Sequence, residues 1–173
     1  MRTVLARGFA LILAVAGPSA AEELAPSSSF VINFTSIVVN GEPTISTGPS
    51  SETGLYEGVL TASNSAGEGL LHNLTGRCMG KFDIDTEAGV FEQHGNCVYT
   101  DADGDQIWEQ FDFEPQQLSP VQIAAGRWTG GSGKYEGLRG EFEIRVRPLR
   151  PANPSFGQVI GSKEGSYRIS ASN

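Results

Sequence analysis

The sequence predicts an all-β fold of eight short antiparallel strands stapled by one disulfide, and three observations carry that expectation. Apolar and polar residues alternate with a period of two over most of residues 22–173. Glycine occurs 22 times, with turn dipeptides such as Asp103-Gly104 between alternating runs. The chain holds two cysteines, Cys78 and Cys97, flanking one predicted hairpin. Period two is the signature of strands, whose side chains point alternately to opposite faces.

The chain opens with the basic residues Arg2 and Arg7, an apolar run from Phe9 to Ala16, and small residues ending Pro18-Ser19-Ala20-Ala21 before Glu22 and Glu23. This is the pattern of a cleaved secretory signal. Residues 1–21 are therefore expected to be a signal peptide and residues 22–173 one β domain, secreted or periplasmic. The apolar run is shorter than the roughly 20 residues a bilayer span requires, and no later run is apolar enough, so no membrane span is expected.

Eight strands are read in order, near residues 29–39, 55–63, 73–84, 90–101, 105–113, 121–129, 138–147 and 164–171. Phe30, Ile32 and Phe34 share one face of the first, and Phe142, Ile144 and Val146 alternate with Glu141, Glu143, Arg145 and Arg147 in the seventh. Asn40-Gly41 reads as a turn, and Asp103-Gly104 as a two-residue hairpin turn. Pro43 to Thr53 and Pro148 to Lys163 read as surface loops. Eight such strands close into a barrel or stack as a sandwich. Periodicity does not choose, although closure removes exposed edges.

An even cysteine count in an oxidising compartment favours a Cys78–Cys97 disulfide. Pairing these residues across a hairpin sets Gly80 opposite Gly95, Phe82 opposite Gln93 and Ile84 opposite Phe91. The turn then falls on residues 85–90, and closing a loop of this size is worth about 3 kcal/mol in the chain-entropy model.

Charge is divided along the chain. From Glu22 to Glu114 there are 16 acids against Arg77 and Lys81; from Pro115 onward there are 4 acids and 8 bases. The acidic balance excludes the basic footprint that nucleic-acid binding needs. The two halves are expected to attract each other as complementary strands or subunits.

Glycine density peaks at Gly130-Gly131-Ser132-Gly133-Lys134-Tyr135-Glu136-Gly137-Leu138-Arg139-Gly140. Physically this is a turn leading into a strand, with Tyr135 and Leu138 as apolar anchors. The segment resembles the GGSG-aromatic-x-G-x-x-G stretch of allene oxide cyclases and the GGTG-aromatic stretch of plant dirigent proteins. The preceding Gly126-Arg127-Trp128 and the alternating strand through Val146 extend the likeness. Both families belong to one superfamily of eight-stranded antiparallel barrels, often trimeric, so the resemblance implies a barrel and a homo-oligomer, possible as a trimer. Asp101-Ala102-Asp103-Gly104-Asp105 is similar to an acidic hairpin of exported bacterial proteins with this barrel. Cyclase chemistry does not carry over with the fold: the glutamate, proline and water-holding asparagine that those enzymes carry in N-terminal strands find no match, Asn33 being a lone strand asparagine.

Asp101, Asp103 and Asp105 are weak candidates for a Ca²⁺ site, since hard cations take carboxylate oxygens. An EF-hand loop counted from Asp101 would need Gly and Glu where Gln106 and Asp112 stand. Aligning Asp101 with Gln106 sets Tyr99 beside Trp108 and Cys97 beside Gln110. One face then collects Phe82, Ile84, Phe91, Gln93, Tyr99, Asp101, Trp108 and Gln110, a mixture suited to a ligand-holding barrel. The opposite face, with Val98, Ile107, Phe111 and Phe113, is also apolar, and one bulge would reverse the assignment.

Enzyme motifs are not matched. A P-loop would need Gly and Ser or Thr where Trp128 and Tyr135 stand, and a nucleophile elbow would need Gly in place of Lys134. His72 and His94 have no partner at metal-ligand spacing. The leading expectation is a non-catalytic exported barrel, without cofactor, that binds a small hydrophobic or aromatic molecule or a protein partner. Tyr99, Asp101, Trp108, Gln110 and Trp128 are the candidate contacts, with the acidic hairpin at the rim. A cyclase acting by positioning, and a calcium-dependent or structural surface protein, are the alternatives.

Overall fold

The computed structural model describes residues 24–150, 152–153 and 156–170, with the backbone alone for residues 40–43; the expected signal peptide lies outside these residues. Eight strands follow one another: β1 (Ser27–Ser46), β2 (Ser51–Asn64), β3 (Leu74–Asp85), β4 (Val90–Thr100), β5 (Gln106–Gln117), β6 (Gln122–Gly131), β7 (Leu138–Leu149) and β8 (Gly157–Ile169). Each pairs antiparallel with its neighbour, and β8 returns to β1, from Ser27 opposite Arg168 to Val38 opposite Gly157. The sheet is therefore a closed barrel, and closure leaves no edge strand to pair with another chain. Among the described residues no helix is long and apolar enough to cross a membrane.

All eight predicted strands are present, and the differences lie at their ends. Asn40-Gly41 is not a turn: β1 runs through it with a register shift between Gly41 and Thr44 and ends at Ser46. Most of the expected loop from Pro43 to Thr53 is thus strand, and so is much of Pro148 to Lys163, because β8 begins at Gly157. Strand pairing satisfies backbone groups whatever the local propensity; Ser46 and Glu52 here are exposed, whereas Lys163 is buried in the interior.

The disulfide joins Cys78 and Cys97 directly across β3 and β4, with Gly80, Phe82 and Ile84 opposite Gly95, Gln93 and Phe91. One expected register is displaced. Thr100 pairs with Gln106, so Tyr99 faces Ile107, Trp108 faces Val98 and Glu109 faces Cys97. The cause is a five-residue connection in place of a two-residue turn. Asp101 accepts hydrogen bonds at Oδ1 from the backbone N–H groups of Asp103 and Asp105, and its own N–H donates to the Asp105 carbonyl at 3.1 Å.

The interior of one end is aromatic. Phe30, Tyr99, Trp128, Phe142 and Tyr167 interlock there, the Trp128 and Phe142 ring centroids 4.3 Å apart. Leu70 and Leu71, from the β2–β3 connection, are buried in the same core. The Gly130–Gly140 segment closes this end as expected: a 3-10 turn at Gly133–Tyr135 joins β6 to β7, and Tyr135 and Leu138 are buried.

Candidate functional site

Toward the other end the packing opens into a cavity of about 370 Å³. Inward residues of β3 and β4, Phe82, Ile84 and Phe91, line it with Phe111 and Phe113 of β5 and Val159 of β8. Phe82, Ile84 and Phe91 are only half-buried, which marks the mouth, whereas the floor is closed by two charged side chains, Glu109 and Lys163. The volume is within the range of small-molecule sites, which are apolar with a few placed polar groups.

The floor is a buried polar triangle. Lys163 on β8 donates to the Glu109 Oε2 of β5 and to the Tyr99 hydroxyl of β4, and Tyr99 donates to the same Oε2 at 2.7 Å. Glu109 is 1% exposed and Lys163 3%. The ammonium also lies 5.0–5.8 Å from the ring centroids of Phe34, Tyr99, Trp128 and Phe142. Aromatic faces stabilise a cation, and more so when it is dehydrated. Glu109 Oε1 and Trp128 Nε1 have no hydrogen-bond partner among the described residues.

Desolvation is the largest influence on the acid–base properties of Lys163 and Tyr99. Burial lowers the Lys163 pKa below the ordinary lysine value, against the attraction of Glu109, which works to raise it. Burial pushes the Tyr99 hydroxyl well up, and the Glu109 charge adds to that. The Tyr56 hydroxyl, above the Gly80–Gly95 pair, is likewise raised by burial.

The structure divides the five contact residues expected from the sequence. Tyr99 and Trp128 lie inside, beneath the cavity floor. Trp108 is on the outer surface and 42% exposed. Gln110 also faces outward, accepting a hydrogen bond from Arg127. The one-residue change of register at the β4–β5 connection turned these two residues out and brought Ile107, Glu109, Phe111 and Phe113 in.

Asp101 is not at the mouth. The connection after an even-numbered strand lies at the opposite end of the barrel from the residue 86–89 turn beside the cavity opening, so the acidic hairpin belongs to the closed end. There Lys134 reaches the Asp101 carboxylate at 2.7 Å and that of Asp103 at 3.2 Å, while Asp105 accepts the Lys134 backbone N–H. A lysine ammonium thus occupies the space between two of the carboxylates considered for Ca²⁺. Among the described residues, no group of three or more His, Cys, Asp or Glu side chains is arranged to hold a metal.

Glu109 and Lys163 carry the site's chemistry and were not singled out from the sequence. Both left a signal there. Glu109 is the one charge in the alternating series Ile107, Glu109, Phe111, Phe113, and Lys163 shares a face with Gly165 and Tyr167. The attraction expected between the acidic and basic halves is realised, among the described residues, by three pairs that cross Pro115, Lys163–Glu109, Lys134–Asp101 and Lys134–Asp103, all inside the chain.

No family model matches the chain, and no curated protein matches it. Among solved structures it is similar to the pterocarpan synthase dirigent protein GePTS1, at 13% identity and a TM-score of 0.51, over 93% of this chain and 100% of that one. The disulfide-stapled chain thus has the eight-stranded barrel fold of dirigent-like proteins.

Proposed function

We propose that this protein is an exported, non-catalytic barrel that holds a small hydrophobic or aromatic molecule in its interior. The observation that carries the reading is the apolar cavity of about 370 Å³ ending on one buried polar cluster. Its walls supply non-directional burial at about 25 cal/mol per Å² of apolar surface, and its floor supplies orientation. Binding is tested by the fluorescence of N-phenyl-1-naphthylamine with the wild type and with an Ile84→Trp variant whose larger side chain narrows the mouth. Saturable enhancement is expected, with an apparent Kd at least about tenfold weaker in the variant, equivalent to 1.4 kcal/mol. Equal enhancement in both would overturn the cavity as the site. A disulfide suits an oxidising compartment, and N-terminal sequencing of the secreted or periplasmic protein should begin at Glu22.

A second reading, self-association, is favoured by the outer wall. An outward row crosses five strands in register, Ile37–Val59–Arg77–Val98–Trp108, and Ile37, Val59, Val98 and Trp108 are each at least 40% exposed. Four exposed apolar side chains on either side of Arg77, itself paired with Glu57, offer a surface for a partner, here a second copy of the chain. Light scattering should give a mass above that of the monomer, and Val59→Lys should return it to the monomer; a monomeric wild type would remove the reading.

A further inference from the structure

We infer that Lys163 is an imine-forming amine and that the cavity takes an apolar aldehyde or ketone, which it holds by a reversible covalent bond. The inference rests on the cavity being a ligand site. Four features of the geometry point to it. Lys163 lines the cavity floor and is only 3% exposed, with its Nζ held by Glu109 and Tyr99. Its surroundings are aromatic and exclude water, which opposes hydrolysis of an imine once formed. Glu109 holds one oxygen against Nζ and leaves the other without a partner. Tyr99 contacts both groups and can relay a proton between them. A lysine that must act as a nucleophile needs desolvation and a neighbouring base. Its lowered pKa agrees with that requirement.

The proton and electron movements balance without a further reactant. Glu109 takes one proton from the Lys163 ammonium, and the freed lone pair bonds to the carbonyl carbon. The carbonyl π electrons move to oxygen, which receives a proton from the new C–N nitrogen through the Tyr99 hydroxyl. The proton held by Glu109 then passes to that oxygen, the C–O bond breaks, and water leaves as the nitrogen lone pair closes the C=N bond. The product is a protonated imine facing a restored Glu109 carboxylate, so the buried charges are the same before and after.

The sequence contains three lysines, and the other two are built-in controls. Lys81 is exposed and paired with Asp83, and Lys134 is paired with Asp101 and Asp103. The test is incubation of the protein with decanal and sodium cyanoborohydride, followed by peptide mapping for the reduced decyl adduct. Displacement of N-phenyl-1-naphthylamine by decan-1-ol, which fills the same space but forms no imine, is measured in parallel. Labelling of Lys163 at least about tenfold faster than of Lys81 or Lys134 is expected, because burial favours its neutral, nucleophilic form. A Lys81→Arg/Lys134→Arg variant should keep that adduct, and a Lys163→Met/Glu109→Gln variant should lose it. If decan-1-ol displaces the probe while Lys163 is labelled no faster than the surface amines, the imine is refuted and the binding reading survives. If decan-1-ol fails to displace the probe and Lys163 stays unlabelled, both fall.

Discussion

Lys163 and Glu109 form an ion pair inside the barrel across 54 residues of sequence, joining β8 to β5, strands that are not neighbours in the sheet. Removing one partner leaves the other charge buried and uncompensated, which costs about 3–5 kcal/mol. Lys163→Met should lower stability in urea unfolding by that amount. Lys163→Met/Glu109→Gln removes both charges and should recover more than half of the loss. A double variant as unstable as the single one would mean that the pair is not the source of the effect.

The Cys78–Cys97 bond is predicted to contribute about 3 kcal/mol, through the entropy of the unfolded chain. A Cys78→Ser/Cys97→Ser variant, or the reduced wild type, should unfold at lower denaturant concentration by that margin. The strand register beside the bond should persist, since Gly80–Gly95 and Phe82–Gln93 pair without it. Amide exchange through β3 and β4 reports both quantities.

The contact between Lys134 and Asp101 sets a pH dependence. Burial works to raise the Asp101 carboxyl, but the Lys134 ammonium and the backbone N–H groups of Asp105 and Asp103 overcome it and hold the carboxyl below the usual Asp range. Asp101 in turn raises Lys134. A depressed carboxyl stabilises the fold above its unfolded pKa of about 3.9, and that stability is lost as pH falls through the lower folded value. A raised lysine stabilises below its unfolded pKa of about 10.4, and that stability is lost as pH rises through the higher folded value. The stability difference between wild type and Lys134→Met should therefore form a plateau of about 1 kcal/mol between pH 5 and 9 and shrink on both sides. A difference independent of pH from 2 to 12 would exclude the ion pair as its origin.

Gly133 has φ +53°, and a Cβ there would overlap the Asp105 carboxylate. Strain in the left-handed region costs about 1–3 kcal/mol. Gly133→Ala should destabilise the protein by at least that much and displace Asp105 from the Lys134 N–H. Gly104, φ +89°, has open space around its Cβ position, so Gly104→Ala should cost no more than about 1–2 kcal/mol. Thermal melts of the two variants compare clash plus strain with strain alone.

Legibility in the sequence followed the range of the interactions involved. Period two located every strand, and the cysteines fixed the β3–β4 register, because both signals are local and discrete. The β4–β5 register was lost on Asp101, whose side chain organises a five-residue loop that the Asp103-Gly104 dipeptide alone does not reveal. That one-residue difference exchanged Trp108 and Gln110 for Ile107 and Glu109 on the inner face. Tyr99, Trp108 and Trp128 were expected alike as contacts, and only Tyr99 and Trp128 lie inside; the Glu109–Lys163 contact was not legible. A charge in an apolar row signals a buried group, but the position of its counterion depends on closure of the barrel, which brings β8 against β1 and aims Lys163 across the interior.

Strand β8 both closes the sheet and delivers the cation. Until β8 docks, any compact form of the chain that has already buried Glu109 holds an acid with no counterion. A one-residue slip of β8 against β1 would turn Lys163 out to solvent and leave Glu109 in that same condition. The interior ion pair thus acts as a check on the final pairing. It penalises misregistered closure in a chain whose first and last strands, Ser27 against Arg168, must find each other across nearly the whole described sequence, the kind of distant pairing that makes β-barrels slow to fold.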